Sequence, residues 1–175
     1  MKVQLKRWTM DDQERLQAIM SQVDRSYLSN RLPDHYTLED AAWWIGMARE
    51  KDGKEGVFRA IWLDGQCVGN ISVEKKSDVY ERDGEIGYMV REEAQGKGVM
   101  TEAVRLICQE AFDILKLERI TGMVYAPHEA SRQILRKNGF DLEGILRRGV
   151  CKHGQVYDLC IYGKVKPMER KKPSE

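Results

Sequence analysis

At Gln95-Gly96-Lys97-Gly98-Val99-Met100 two glycines flank one lysine, and Thr101-Glu102-Ala103-Val104 runs on at once into a helical pattern. Apolar residues recur at Met100, Ala103, Val104, Ile107, Ala111, Ile114 and Leu115, while Glu102, Arg105, Gln109, Glu110 and Asp113 take the other face. That spacing predicts an amphipathic helix over 99–115 that must lay its stripe on a sheet. A glycine turn directly ahead of the helix leaves backbone N–H groups unobstructed at the positive end of the helix dipole. Such a turn suits a phosphate-bearing ligand. Three readings compete. A Walker loop needs GxxxxGK[ST], and that spacing is absent. A dinucleotide fingerprint needs GxGxxG near the first strand, but position 101 is Thr and this turn follows the fourth strand. The third reading is a turn that merely starts a helix.

The rest of the chain reads as one α/β domain. Val3 to Trp8 alternates as a first strand, and Asp11 is a candidate N-cap for a helix to about Gln22 carrying Leu16, Ile19 and Met20. Residues 26–36 look irregular. Thr37 with Asp40 three residues on forms a weak capping box for a helix to about Lys51. Val57–Leu63 and Val68–Glu74 are strands joined at Asp64-Gly65, and Glu85–Val90 is a third, placed after an Asp83-Gly84 turn. After the long helix come a strand, Arg119–Tyr125, and a helix with body Glu129–Lys137 stopped by Asn138-Gly139. Phe140–Arg148 and Gln155–Val165 form a last hairpin around His153-Gly154. The order is β-α-α-β-β-β-α-β-α-β-β, a mixed α/β layer with a mostly antiparallel sheet flanked by helices. The domain spans 1–165, and 166–175 reads as a polar, disordered tail.

Composition narrows the function classes. A net charge of +1 gives no reason to expect direct nucleic-acid binding or a membrane surface. No apolar run approaches the roughly 20 residues that span a bilayer, and the N-terminus lacks the apolar core of a signal peptide, so a cytoplasmic location is expected. The cysteines at 67, 108, 151 and 160 form no CxxC pair, and His35, His128 and His153 are scattered, so no metal site is expected. Cys151 and Cys160 could lie close across the last hairpin, but free thiols suit a reducing compartment.

The element order, with Gln95-Gly96-Lys97-Gly98-Val99-Met100-Thr101-Glu102-Ala103 at the fourth strand's exit, resembles the GCN5-related N-acetyltransferase (GNAT) family, whose phosphate loop reads Q/R-x-x-G-x-G/A. Gln95 and Gly98 fit that frame, and Met100 replaces the small sixth residue. A second block runs from Ala126-Pro127-His128-Glu129-Ala130-Ser131 to Asn138-Gly139-Phe140-Asp141-Leu142-Glu143-Gly144. It resembles the N-x-x-S…G-F-x-x-E-G block of the ribosomal-protein alanine acetyltransferases, the RimJ/RimL-like branch. Glu85-Ile86-Gly87-Tyr88 resembles that branch's fourth strand. The likeness covers about residues 3–165.

The resemblance implies acetyl-CoA as co-substrate. Amides of Gly96, Lys97, Gly98, Met100 and Thr101, with Gln95 and Val99 in the same turn, would cradle its pyrophosphate. The backbone of Met89 and Val90 would pair with the pantetheine arm, an amide near Val90 serving the oxyanion. Ser131 falls where related ribosomal enzymes carry a candidate general acid, and the tyrosine other members use falls at Leu135. His128 stands where the family has asparagine; it is read as a polar contact near the thiol, an acid or base, or a solvent-facing substitution. Glu85 is the best-placed base, because the glutamate some ribosomal relatives use falls at Val150.

The missing base bears on the acceptor amine. An α-amine of pKa about 7.8 is far more neutral near pH 7 than a lysine of about 10.4, a gap of roughly 3.5 kcal/mol. A protein or peptide N-terminus, ribosomal-protein-like, is therefore the preferred acceptor. Polyamines or aminoglycosides stay open, with Glu39, Asp40, Glu81, Asp83 and Glu85 as a possible acidic pocket. A non-catalytic coenzyme A sensor on the same fold is the rival class. Trp44 fits the helix's core stripe; Trp43 lies off it and reads as core or interface packing, with a place facing the acceptor or a partner chain as the alternative. Arg147, Arg148 and Lys152 make a small basic patch that reads as a solvated hairpin face, with a ribosomal contact surface as the alternative. A monomer and a homodimer are equally compatible with the sequence.

Overall fold

The computed structural model describes residues 1–168. The strands are β1 Val3–Arg7, β2 Gly56–Leu63, β3 Gln66–Lys75, β4 Asp83–Val90, β5 Arg119–Tyr125, β6 Asp141–Lys152 and β7 Gln155–Val165. The helices are α1 Gln13–Gln22, α2 Leu38–Lys51, α3 Val99–Leu115 and α4 Glu129–Lys137. One seven-stranded sheet runs β1-β2-β3-β4-β5-β7-β6. All neighbours pair antiparallel except β4 and β5, which are parallel. The expected element order therefore stands. Of the expected tail, 169–175 lies outside the described residues.

Each face of the sheet has its own core. The α3 stripe packs Ala103, Val104, Ile107 and Ala111 against Val57, Ile61, Ile71 and Ile120. On the other face Leu16, Ile19, Ala41 and Ile45 of α1 and α2 meet Phe58, Ala60 and Trp8. Fully burying one such aliphatic side chain contributes about 1.5–3 kcal/mol. The stripe differs from the expected one at its end: Ile114 is 40% exposed, while Cys108 and Phe112 turn inward.

Several local expectations are corrected. Asp11 does not cap α1. Thr9 and Asp12 bond reciprocally around a 3-10 turn at Met10–Asp12, and α1 starts at Gln13. The first strand ends at Arg7, because Trp8 turns into the core and its indole N–H donates to Asn70 Oδ1 at 3.1 Å. Asp83-Gly84 is not a turn but the start of β4. The Asp83 carboxylate is held by Lys76 and Thr121, while the reversal falls at Asp78–Tyr80. The last hairpin's first strand starts at Asp141 rather than Phe140, which plugs the core, and it continues to Lys152 through two irregular registers. Cys151 and Cys160 pair with Val156 and Ile145 in that register, and both thiols are free. The Thr37–Asp40 capping box on α2 forms as expected, with Thr37 N donating to Asp40 Oδ2 at 2.8 Å and Asp40 N to Thr37 Oγ1 at 3.1 Å.

Candidate active site

The two parallel strands at the centre of the sheet touch briefly. β4 and β5 pair only at Asp83–Arg119, Gly84–Ile120 and Glu85–Thr121. Beyond Glu85 they part, while β4 keeps its bonds to β3 through Val90. Ile86 to Val90 therefore present an unpaired strand edge to the gap. A cavity of about 670 Å³ opens along this edge, walled by α3 on one side and α4 on the other.

The glycine turn forms one end of the cavity. Gly96 and Gly98 have φ of +70° and +76°, the left-handed region that side chains with a Cβ avoid. Gly98 is the N-cap of α3, and the first helical bond runs from Glu102 N to Gly98 O. The amides of Val99, Met100 and Thr101 thus have no intrahelical acceptor. Met100 carries its side chain into the core, so its size leaves the turn unobstructed.

Most of the expected site residues meet here. Met89, Val90, Gln95, Gly96, Gly98, Val99, Met100, Thr101, His128 and Ser131 all line the cavity. Lys97, exposed, does not line it. Nor does Glu85, which projects from the opposite face of β4 at the rung where the strands part. Gln95 Nε2 reaches Val90 O at 3.5 Å, tying the turn to the strand end.

α4 supplies the opposite wall. It lies close on β5 because Gly122 has no side chain; a Cβ there would stand 2.7 Å from Leu135 Cδ1. Leu135 is wholly buried, so the position where other family members were expected to carry a tyrosine belongs to the core. One turn earlier on the same face, Ser131 is 7% exposed and its Oγ lies 2.7 Å from the Tyr88 hydroxyl. Tyr88 lines the cavity too, and burial pushes its phenol up to about 12. In the sequence Tyr88 stands out only as part of the Glu85–Tyr88 motif. Its place on the same strand face as Ile86 and Val90 was the available signal.

His128 is not solvent-facing. Half-buried at the start of α4, it stacks on Tyr27 with ring centroids 4.7 Å apart. Tyr27 also meets Tyr125 at 5.5 Å and Tyr157 at 6.2 Å, so the segment before α2 is clamped over β5 and β7 by an aromatic cluster. Lys152 adds to the clamp. It is 5% exposed, and its Nζ donates to Asn30 Oδ1 at 2.9 Å, rather than joining a solvated basic face. Trp44 packs edge-on to Trp8 and Phe58 as expected of a core residue. Trp43, 71% exposed, stands away from the cavity.

Burial pushes the His128 imidazole below its ordinary 6.5, with the charge of Asp24 opposing the shift. Near neutral pH it is uncharged and able to accept a proton. The folded state binds that proton less readily than the unfolded chain. This contribution to stability is therefore full above 6.5 and declines as the pH falls from 6.5 toward the lowered folded value. In thermal melts, His128→Asn is expected to flatten that decline; an unchanged pH profile would deny it.

Among the described residues no three His, Cys, Asp or Glu side chains gather as a metal site. No helix there is long and apolar enough to cross a membrane.

A strand edge released beside a glycine-capped helix can take a ligand that joins a phosphate to an extended, amide-bearing arm. The acetyltransferase (GNAT) domain model matches residues 2–141. The chain belongs to the GNAT family of N-acetyltransferases. Probable N-acetyltransferase YjcK of Bacillus subtilis (strain 168) is 36% identical over 78% of this chain and 77% of that protein. Spermidine N(1)-acetyltransferase of Escherichia coli (strain K12) is 30% identical, over 66% of this chain and 63% of its own length. The structure of RimL, a ribosomal L7/L12 α-N-protein acetyltransferase in complex with coenzyme A, superposes with a TM-score of 0.80 at 16% identity, over 93% of each chain. That last likeness is one of fold.

Proposed function

We propose that this protein moves an acetyl group from acetyl-CoA to a primary amine, with a protein or peptide N-terminal α-amine as preferred acceptor. One observation carries the donor assignment: the unpartnered amides of α3 and the open edge of β4 face a single cavity. The amides after Gly98, with that of Gly96, suit the pyrophosphate. The Met89–Val90 edge suits the amide-bearing arm. RimL, which shares this fold, is in complex with coenzyme A.

Acetyl-CoA supplies an acyl group activated as a thioester; the amine nitrogen bonds to the acyl carbon while the carbon–sulfur bond breaks. Ser131 Oγ–H donates to the sulfur as its charge builds. An aliphatic hydroxyl is a weaker acid than a thiol of pKa about 8.5, so the serine acts by hydrogen bonding. The proton that finally rests on sulfur is balanced by the one the nitrogen loses. Neutral His128 on the cavity side, or Glu85 across the gap, takes that proton.

The acceptor preference rests on the carboxylates. Of the five acids considered for a polyamine pocket, none lines the cavity. Asp40 is bound in its capping box and Asp83 by Lys76 and Thr121. The segment before α2 brings one acid to the cavity, Asp24, whose carboxyl is held below its ordinary value by Ser26. Glu92 lines the cavity too, but it belongs to the turn leading into Gln95 and Gly96 at the end given to the pyrophosphate, which leaves Asp24 to match one ammonium group. Similarity to the spermidine enzyme favours polyamine acetylation as the second reading.

Thiol release measured across peptide N-termini, spermidine and an aminoglycoside decides between them. Peptides are expected to give the highest kcat/KM. A higher value for spermidine overturns the preference, and acetyl-CoA binding without turnover on any amine overturns the transferase reading.

A further inference from the structure

We propose that Tyr88 is a positioning residue: its phenol donates to Ser131 Oγ and leaves the serine's own proton as the one aimed into the donor cavity. The inference rests on the acetyl-CoA reading above and on Ser131 facing the sulfur.

The geometry favours one direction of donation. Tyr88 Oη lies 2.7 Å from Ser131 Oγ and 3.4 Å from the Ser131 carbonyl oxygen. The first distance is that of a full O–H···O bond, and the second lies beyond it. Each hydroxyl holds one proton and two lone pairs, and the phenol is the stronger acid of the two. The phenol therefore gives its proton to the shared contact, and Ser131 must direct its own elsewhere.

Where that proton points is decided by what surrounds Ser131. A helical serine commonly turns its hydroxyl back onto a carbonyl of the preceding turn. Among the described residues Ser131 makes no such bond, and Tyr88 is the side-chain partner of its Oγ. The remaining direction is the cavity, which both residues line. Burial keeps the phenol protonated through the neutral range, so it stays a donor before and after the acyl group moves. Two hydroxyls in series polarise each other, which makes Ser131 the stronger donor. No proton leaves Tyr88 at any stage; it acts on the direction and strength of the serine bond.

The pair exists because two strand-level facts coincide. Tyr88 shares its face of β4 with Ile86 and Val90, which packs toward α3 and α4. Ser131 and Leu135 lie four residues apart on the α4 face that Gly122 admits onto β5.

The test uses the full chain with coenzyme A bound, its thiol titrated by ultraviolet absorbance. A donor aimed at the sulfur lowers the thiol pKa. Ser131→Ala and Tyr88→Phe are each expected to raise it, Tyr88→Phe by less, and the double variant no further than Ser131→Ala alone. In single-turnover acetyl transfer, Tyr88→Phe is expected to slow the step by ~5-fold and Ser131→Ala by ~10–100-fold, with coenzyme A affinity little changed. 3-Fluorotyrosine at position 88, a stronger donor of nearly the same shape, should move the thiol pKa the opposite way from phenylalanine. It also replaces the Tyr88→Phe arm should that variant misfold. A thiol pKa and rate that respond to Ser131→Ala but not to either change at Tyr88 overturn the inference while leaving Ser131 in place. A thiol pKa and rate unmoved by Ser131→Ala overturn the Ser131 assignment and, with it, the role of Tyr88.

Discussion

Gly98→Val is expected to raise the acetyl-CoA dissociation constant by ~100-fold or more, with the fold retained. Space is not the obstacle: a Cβ at Gly98 would meet only Met1 Cε, at 4.0 Å. The obstacle is the backbone, whose φ of +76° is left-handed. An L-residue there costs about 1–2 kcal/mol, and a β-branched one is a genuine outlier. The chain relieves that strain by rotating the turn, and the amides at the start of α3 rotate with it. Hydrogen bonds to a charged group contribute about 1.5–3 kcal/mol each, so misdirecting two of them exceeds the 2.7 kcal/mol of a hundredfold change. Calorimetric titration with acetyl-CoA checks the affinity, and a melt of the free protein checks the fold. A dissociation constant within about threefold of the parent's in a folded variant denies the cradle.

Arg59→Met is expected to lower the unfolding free energy by about 3 kcal/mol. Arg59 is 4% exposed in the middle of β2. Its guanidinium donates to Asp52 Oδ1 at 2.7 Å, Glu110 Oε2 at 2.8 Å and the Phe58 carbonyl at 2.8 Å. It thereby joins the end of α2 and the outer face of α3 to one strand. Removing the cation leaves Asp52, itself nearly buried, with exposed Arg7 at 3.3 Å as its remaining ion-pair partner. Glu110 is one-third exposed, so water offsets part of its loss. Urea unfolding should show a lower midpoint with an unchanged slope. Replacing Asp52 and Glu110 as well, by apolar residues of similar size, should restore much of the stability, since the cost lies in the uncompensated charges. A triple variant no more stable than Arg59→Met would assign the loss to packing instead.

Which parts were legible follows from how local their causes are. The α3 stripe from Met100 to Ala111, the Asp64-Gly65 hairpin and the Thr37–Asp40 box each depend on residues within a few positions, and each stands in the structure. Asp83-Gly84 carries the local signature of a turn yet forms a strand. Its carboxylate is satisfied by Lys76 and Thr121, and Gly84 fits beneath Leu117 and Val73, partners that a window of sequence does not contain. Lys152 misled for the same reason: its neighbours 147 and 148 are exposed, but Asn30 reaches it from the far end of the chain.

The sequence by itself determined the family, the element order and the glycine turn. Glycine spacing, helical period and the second motif are all written in short stretches of chain. Tertiary structure decided the chemistry around that turn. The three-rung contact of β4 with β5 opened the strand edge, and Gly122 let α4 settle close enough to bring Ser131 to Tyr88. It also set His128 against Tyr27 and bound Asp83 to Thr121. These are contacts between residues tens of positions apart, fixed by register and packing, and no local pattern encodes them.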